Sequence, residues 1–322
     1  LRNICEEYQF DLLAQNAFRN IPRVLDPLGF SNYTIDDATA SVNSAEFDLM
    51  HDDEYEQIDN DYFKFAWEKM LPRKFEIFKD DSVALKAIFD SCKEWKIIQD
   101  KSAELNVMVE KEYGIPASIN QSCPAGPMFG FNFLFLTARG IKPLLVDLRR
   151  RTSEFVEACQ KLNSMYNSAL YENEEVGSNE NLLFDYMEAI MCQNFVNPKQ
   201  FEMLYQPNMS KFFHYVADHD KTYHFFIEGS FMRFADILQD VPKGHISIFT
   251  ENDDIFELRK KLPNICLEGG MPCLMLNGSS KEECVDRAQK LVDAIGANGG
   301  YILSQDKMMQ YRNDGKPENM KA

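Results

Sequence analysis

Strands alternating with helices along the C-terminal part of the chain limit what it can fold into more than any other feature. Between Tyr223 and Ser304 three βα units follow in succession. They are Tyr-His-Phe-Phe-Ile-Glu-Gly (223–229), His-Ile-Ser-Ile-Phe-Thr-Glu-Asn-Asp-Asp (245–254) and Ile-Cys-Leu-Glu-Gly-Gly-Met-Pro-Cys (265–273). A helix and a Gly-Gly-Tyr-Ile-Leu-Ser strand (299–304) close the series. Upstream, 181–187 reads as a strand and 198–218 as a helix with Phe201, Leu204, Tyr205, Met209, Phe212 and Phe213 facing inward. Such alternation implies a parallel sheet with right-handed crossovers. No GxGxxG follows an early strand, so a dinucleotide fold has no support. At least five βα units over about 200 residues point instead to an α/β fold of the (β/α)8 TIM-barrel type.

The rest of the chain reads as helical. Asp52-Asp53-Glu54-Tyr55 opens a helix running to Lys69, and 81–112 is helical throughout, with Ala84, Ile88, Phe89, Cys92, Trp95 and Ile98 at the spacing of a buried face. Gly114 and Pro116 end it. Residues 1–110 are therefore expected to form a mainly helical N-terminal extension packed on a barrel of residues 111–322. The alternating Phe129, Phe131, Phe133 and Phe135 read as an aromatic helix or a loop ending at Arg139-Gly140, and 142–172 as two helices. Ser280 and Glu283 form a capping box ahead of the helix 281–295, each side chain satisfying an orphan backbone donor. No repeat of fixed period occurs.

Charge excludes some partners. With 34 Lys and Arg against 51 Asp and Glu, the formal net charge is −17. The basic run Arg149–Arg151 is expected as a solvated helix end. A duplex-binding protein must neutralise phosphates, so no nucleic-acid partner is expected. Eight scattered cysteines without a CxxC read as reduced thiols, and the expected location is cytoplasmic. No run of 18 apolar residues exists, so no membrane span is expected. No signal peptide is visible, although the chain starts at Leu1 rather than Met, as it would if an N-terminal segment preceded it.

Strand ends are where a βα barrel carries its chemistry. Glu228 ends an apolar strand just before Gly229, and Glu251 follows the strand Ile246–Thr250. Two carboxylates on adjacent strand ends could converge on one ion or polarise one substrate. Asp253 is expected to cap the helix starting near Ile255. By alternation His224 and Phe226 face the same side as Glu228. Asn120 and Gln121 end another strand and could line a pocket. Cys273 is a possible third metal ligand beside Glu228 and Glu251, whereas Cys266, inside an apolar strand, is expected to be a small core residue.

Several segments together resemble the uroporphyrinogen decarboxylase-like superfamily. They include Asp53-Glu54-Tyr55, Leu71-Pro72-Arg73, Arg139-Gly140 with Asp147-Leu148-Arg149-Arg150, and Asn197-Pro198-Lys199-Gln200-Phe201. Further along come Phe226-Ile227-Glu228-Gly229, Ile265-Cys266-Leu267-Glu268-Gly269-Gly270-Met271-Pro272 and Gly299-Gly300-Tyr301-Ile302-Leu303-Ser304. The resemblance is to the branch of corrinoid-dependent methyltransferases, including those that demethylate aryl ethers. It implies a (β/α)8 barrel with its site at the C-terminal mouth. It also implies a small methylated substrate and a corrinoid (cobalamin) carried by a partner protein, with zinc as a candidate metal; a homodimer is compatible with it. The Arg-rich Met-Arg-Gln-Ala-Gly-Arg signature of true decarboxylases is missing, which disfavours porphyrinogen decarboxylation. The His-x-Cys of the thiol-using zinc enzymes is replaced by Phe226-Ile227-Glu228, so Glu228 would stand in for one ligand and Phe226 for none. The candidate set is thus Glu228 and Glu251 as catalytic residues, Asn120, Gln121, Phe226 and His224 against substrate, and Glu228, Glu251 and Cys273 at a metal. A porphyrinogen decarboxylase and a non-catalytic barrel that binds a corrinoid protein or ligand are the rival readings.

Overall fold

A computed structural model describes residues 1–12, 21–29, 33–36, 41–44, 48–119, 127–172, 182–307, 309 and 314–321. The chain divides into two compact units. One comprises Asn16–Met108 and Met128–Ala169, the other Leu1–Gln15, Val109–Pro127 and Leu170–Ala322. Residues 128–169 thus group with the N-terminal helices, and the 110/111 boundary expected from the sequence falls in the last turn of the helix Asp81–Tyr113.

The first unit is helical apart from a hairpin of β1 (Tyr33–Asp36) and β2 (Ser41–Ser44). Its helices include Tyr55–Phe65, Leu71–Lys74, Ile141–Arg150 and Thr152–Glu172. The phenylalanine run is a helix, not a strand. Gly130–Phe133 is α-helical and Leu134–Arg139 continues it as a π turn that stops at Gly140. Phe129, Phe131 and Phe135 are buried, so this stripe is core of its own unit. Phe131 meets Phe155 edge-on at 5.8 Å.

Gly130 allows that packing. Its N–H donates to Asn163 Oδ1 at 2.6 Å, and a Cβ there would lie 2.4 Å from the Cys159 carbonyl oxygen. Arg139 is buried, with Nε on Asp147 Oδ2 at 2.8 Å and Nη1 on Asp48 and the Met50 carbonyl, both at 2.6 Å. The Tyr55 hydroxyl donates to the same Asp147 oxygen at 2.8 Å. Arg73 grips both oxygens of Glu54 at 2.6 Å and holds that carboxyl down at about 2. Arg149 and Arg150 end their helix exposed, as expected of a solvated basic run.

The second unit carries the parallel strands. These are β3 (Ala117–Ile119), β4 (Leu182–Phe184), β5 (Tyr186–Ile190), β6 (Tyr223–Ile227), β7 (Ile246–Thr250), β8 (Cys266–Met271) and β9 (Tyr301–Gln305). β3 pairs with β4, and β5 to β9 form one sheet in strict chain order. A doubly wound sheet reverses its order part-way; this one does not, as in a barrel. The fold is of the TIM-barrel type, and among the described residues its parallel strands form one pair and one five-stranded sheet.

The strand expected over 181–187 is two strands meeting at Asp185. The backbone N–H groups of Asp185 and Tyr186 both donate to the Thr222 carbonyl at 3.1 Å, which makes a β-bulge. Asp185 secures it by accepting from the Thr222 N–H and hydroxyl at 2.8 and 3.0 Å. The helix expected over 198–218 is also broken. Asn197 and Gln200 form a capping box for Pro198–Leu204, and a new helix starts at Gln206 because Pro207 has no N–H to continue the old one. The Ser280–Glu283 capping box is present as expected. Phe212 and Phe213 of the second helix pack on Tyr223 at 5.0 and 6.1 Å, so the odd-numbered residues of β6 face the helices. Its even-numbered residues face the other way, onto the concave side of the barrel sheet. No helix among the described residues is long and apolar enough to cross a membrane.

Gly130→Ala is expected to cost about 1–3 kcal/mol of stability, because the helix carrying Cys159 must move to admit the methyl group. Urea unfolding followed by circular dichroism measures it, and an unchanged midpoint would show that the two segments separate freely.

Candidate active site at the strand ends

Glu228 directly follows β6. Its N–H continues the ladder to the Ile190 carbonyl at 2.9 Å, and its own carbonyl accepts from Gln193 Nε2 and Asn194 Nδ2 at 2.6 and 2.8 Å. The next residue, Gly229, has φ +82°, and a Cβ there would meet the Asn194 amide at 2.6 Å. Glycine is therefore required for the turn that leaves Glu228 at the strand end. Glu251 directly follows β7 and accepts the Gly229 N–H at 2.9 Å, which makes the two acids neighbours. Burial raises the Glu228 carboxyl above the ordinary range, and the Glu251 charge raises it further.

The capping role expected of Asp253 falls to Asp254. Asp254 is the N-cap of Ile255–Lys261, accepting from the Phe256 N–H at 2.9 Å. Asp253 instead takes the Ser230 hydroxyl and the N–H groups of Phe231 and Met232, the latter two at 2.7 and 3.2 Å, and so fixes the turn after Glu228. The sequence cannot separate adjacent aspartates, since either can reach an open helix start.

Beside the Glu251 end lies a cleft of about 270 Å³ lined by Glu251, Asp253, Asp306 and Arg287 among others, and Glu228 is not part of its lining. Arg287 donates Nε and Nη2 to the Gly270 carbonyl at 3.1 and 2.8 Å and lies 5.0 Å over the Phe256 ring.

Below the mouth, β-sheet register stacks the concave face in rows. One row is Met187, His224, Ser247 and Cys266; the next is Ala189, Phe226, Phe249, Glu268 and Ile302. The Phe226 and Phe249 rings stack 4.9 Å apart at 6°. His224 is 6% exposed and stacks on Phe184, so it lies in the sheet's interior and not at the mouth. Burial holds it neutral, with its pKa lowered to about 4. Its Nδ1 lies 3.3 Å from Ser247 Oγ and its Nε2 3.6 Å from Glu268 Oε2. Ser304 donates to Glu268 Oε1 at 3.1 Å, and burial pushes Glu268 up to about 6.

Cys273 does not join Glu228 and Glu251. Its N–H donates to Asp306 Oδ1 at 3.0 Å and its thiol turns to the Lys307 carbonyl at 3.9 Å. Burial, then Asp306, push that thiol up to about 11, so it stays protonated at neutral pH. Among the described residues no group of three or more His, Cys, Asp or Glu side chains could hold a metal ion. The donor set Glu228, Glu251 and Cys273 therefore does not fit a zinc site, which needs deprotonated, convergent ligands. Asn120 and Gln121 lie outside the described residues.

The family is recognisable over residues 133–321, which match the uroporphyrinogen decarboxylase (URO-D) family. That is more than half of the chain. The chain belongs to the URO-D family. No curated protein matches it in sequence. Among solved structures it is similar in fold to a methyltransferase from Methanosarcina mazei, with TM-score 0.54 at 14% identity, over 99% of this chain and 80% of that one. The matched URO-D segment contains every strand from β4 to β9, and with them both acids and the rows beneath.

Iodoacetamide at neutral pH should label the exposed Cys92 well ahead of Cys273, since the thiolate is the reactive form. Asp306→Asn lowers the Cys273 pKa and should speed labelling there, read by peptide mass spectrometry. Equal rates at Cys92 and Cys273 would contradict the protonated thiol.

Proposed function

We propose that the protein is a methyltransferase that removes a methyl group from a small methylated donor, with an aryl methyl ether as the leading class. The acceptor would be the cobalt of a corrinoid (cobalamin) carried by a partner protein, whose reduced form supplies the nucleophile. Three observations support this reading: the family, the fold shared with a methyltransferase, and a carboxylic acid at the strand ends. The last carries the most weight. Methyl transfer by in-line displacement asks the protein for positioning and for activation of the leaving group. An ether oxygen is a poor leaving group until it is protonated. Glu228, whose proton affinity is raised by burial and by Glu251, is suited to protonate it as the methyl carbon departs, so that it leaves as a phenol. Glu251 keeps that proton on its neighbour, and the hydrogen bonds of Gln193 and Asn194 to the Glu228 carbonyl fix where the acid stands. The stacked Phe226 and Phe249 offer an aromatic wall on the same side of the sheet. No step passes through a metal held by this chain.

The test is turnover of methoxylated benzoates with a reduced corrinoid acceptor, followed by the change in corrinoid absorbance. Glu228→Gln should reduce the rate by about 10²–10⁴-fold, the usual contribution of a positioned acid. Unchanged turnover would remove Glu228 from the reaction. Release of CO₂ from uroporphyrinogen would favour a decarboxylase instead.

A further inference from the structure

Glu228 and Glu251 are set relative to each other by backbone. Among the described residues the Glu228 carboxyl accepts no hydrogen bond, so its place follows from its main chain, bonded to Ile190, Gln193 and Asn194. The Glu251 carboxylate accepts one, from the Gly229 N–H at 2.9 Å. The tie between the acids is thus a single donor, carried by the residue that follows Glu228. Whatever aims that N–H decides how the pair stands.

Gly229 does not hold its own direction. At φ +82° it has a conformation that glycine enters and leaves without steric cost. The segment after β7 holds it from outside. The Gly229 carbonyl accepts from the Asn252 N–H at 3.0 Å. Asp253 takes the Ser230 hydroxyl, the Phe231 N–H at 2.7 Å and the Met232 N–H at 3.2 Å. Phe231 is buried against Phe201, Phe225 and Phe234, which anchors the far end of the turn. A cap for the helix Met232–Leu238 would use the two N–H groups alone. The Ser230 bond lies ahead of that helix, directly beside Gly229, and capping does not account for it.

We propose that Asp253 is a positioning residue for the Glu228–Glu251 pair, clamping the turn that aims the Gly229 N–H at Glu251. Its weight in catalysis rests on the methyl transfer proposed above, whereas its hold on the pair does not. Loss of the clamp frees the turn. A carboxylate released from its donor swings away from the acid beside it, since like charges at close range repel. Glu228 then loses the neighbour that helps to keep its proton on.

Hydrogen exchange at the Gly229 amide reads the tie directly and needs no substrate. The sequence holds two Glu–Gly pairs, 228–229 and 268–269. Labelling Glu with ¹³C at its carbonyl and Gly with ¹⁵N therefore leaves two amide signals in the NMR spectrum, and Gly269 serves as the internal control. Glu251→Ala identifies the Gly229 signal and gives its exchange without the acceptor. Asp253→Asn keeps the size of the side chain but turns amide hydrogens on its donors. It should speed Gly229 exchange about tenfold or more, as loss of a bond to a charged acceptor does, and leave Gly269 unchanged. Added to Glu251→Ala, it should speed exchange no further. Should Asp253→Asn not fold, Ser230→Ala removes one of the three donors and should act in the same sense. Gly229 exchange that stays at the wild-type rate, with only the melting temperature lowered, makes Asp253 a cap and overturns the proposal. So does an acceleration that persists in the Glu251→Ala background. The same proteins assayed with methoxylated benzoates and a reduced corrinoid keep the two readings apart. Exchange as expected in a protein without turnover rejects the methyl transfer and keeps the clamp; turnover with unchanged exchange rejects the clamp and keeps the transfer.

Discussion

The unbroken parallel register from β5 to β9 is the constraint on which the concave face depends. Each strand hydrogen-bonds the one before it in the chain, so side chains two residues apart repeat at fixed heights across five strands. That is why His224, Ser247 and Cys266 share one level, and Phe226, Phe249 and Glu268 the next, though they come from segments 19 or more residues apart. A one-residue slip in any pairing would carry a polar group to the helix side and an aromatic ring into the network. The apolar packing of Phe212 and Phe213 on Tyr223 opposes such a slip, because it buries the opposite face.

Much of this was legible from the sequence, for identifiable reasons. Alternation of strand and helix is a local property, so the parallel architecture, the Ser280–Glu283 capping box and the strand ends at Glu228 and Glu251 could be read from residues close together in the chain. Glu268 could not. It shares the Cys-Leu-Glu-Gly-Gly segment with Cys266, and nothing local says that it meets His224, Ser304 and a phenylalanine pair. Those contacts depend on register between strands, which periodicity does not encode. Cys273 failed as a ligand for a related reason: burial and Asp306, which arrives from more than 30 residues away, keep its proton on.

Some of the segments through which the sequence resembles the family have a different kind of role. Tyr55, Arg139 and Asp147 form a buried knot, and Glu54 with Arg73 forms a second clasp, both within the helical unit. The two arginines also hold the Leu49 and Met50 carbonyls. Breaking one partner of such a buried pair leaves a charge without compensation, which is far costlier than never having had the pair. Strong sequence signals can thus mark how a segment is pinned, and family membership alone says little about which side chains meet the substrate.

The bulge at Asp185 has a consequence for how this chain can change. Phe184 stacks on His224 on the concave side, whereas Tyr186, two residues on, packs against Phe212 on the helix side. In a regular strand those two positions would share a face. The extra residue resets the inside-outside frame between β4 and β5, so one segment serves two ladders with opposite phase. Loss of a single residue at this point would do more than shorten a turn. It would exchange interior for exterior along half a strand, and the length of the chain here is as tightly specified as the identity of any side chain.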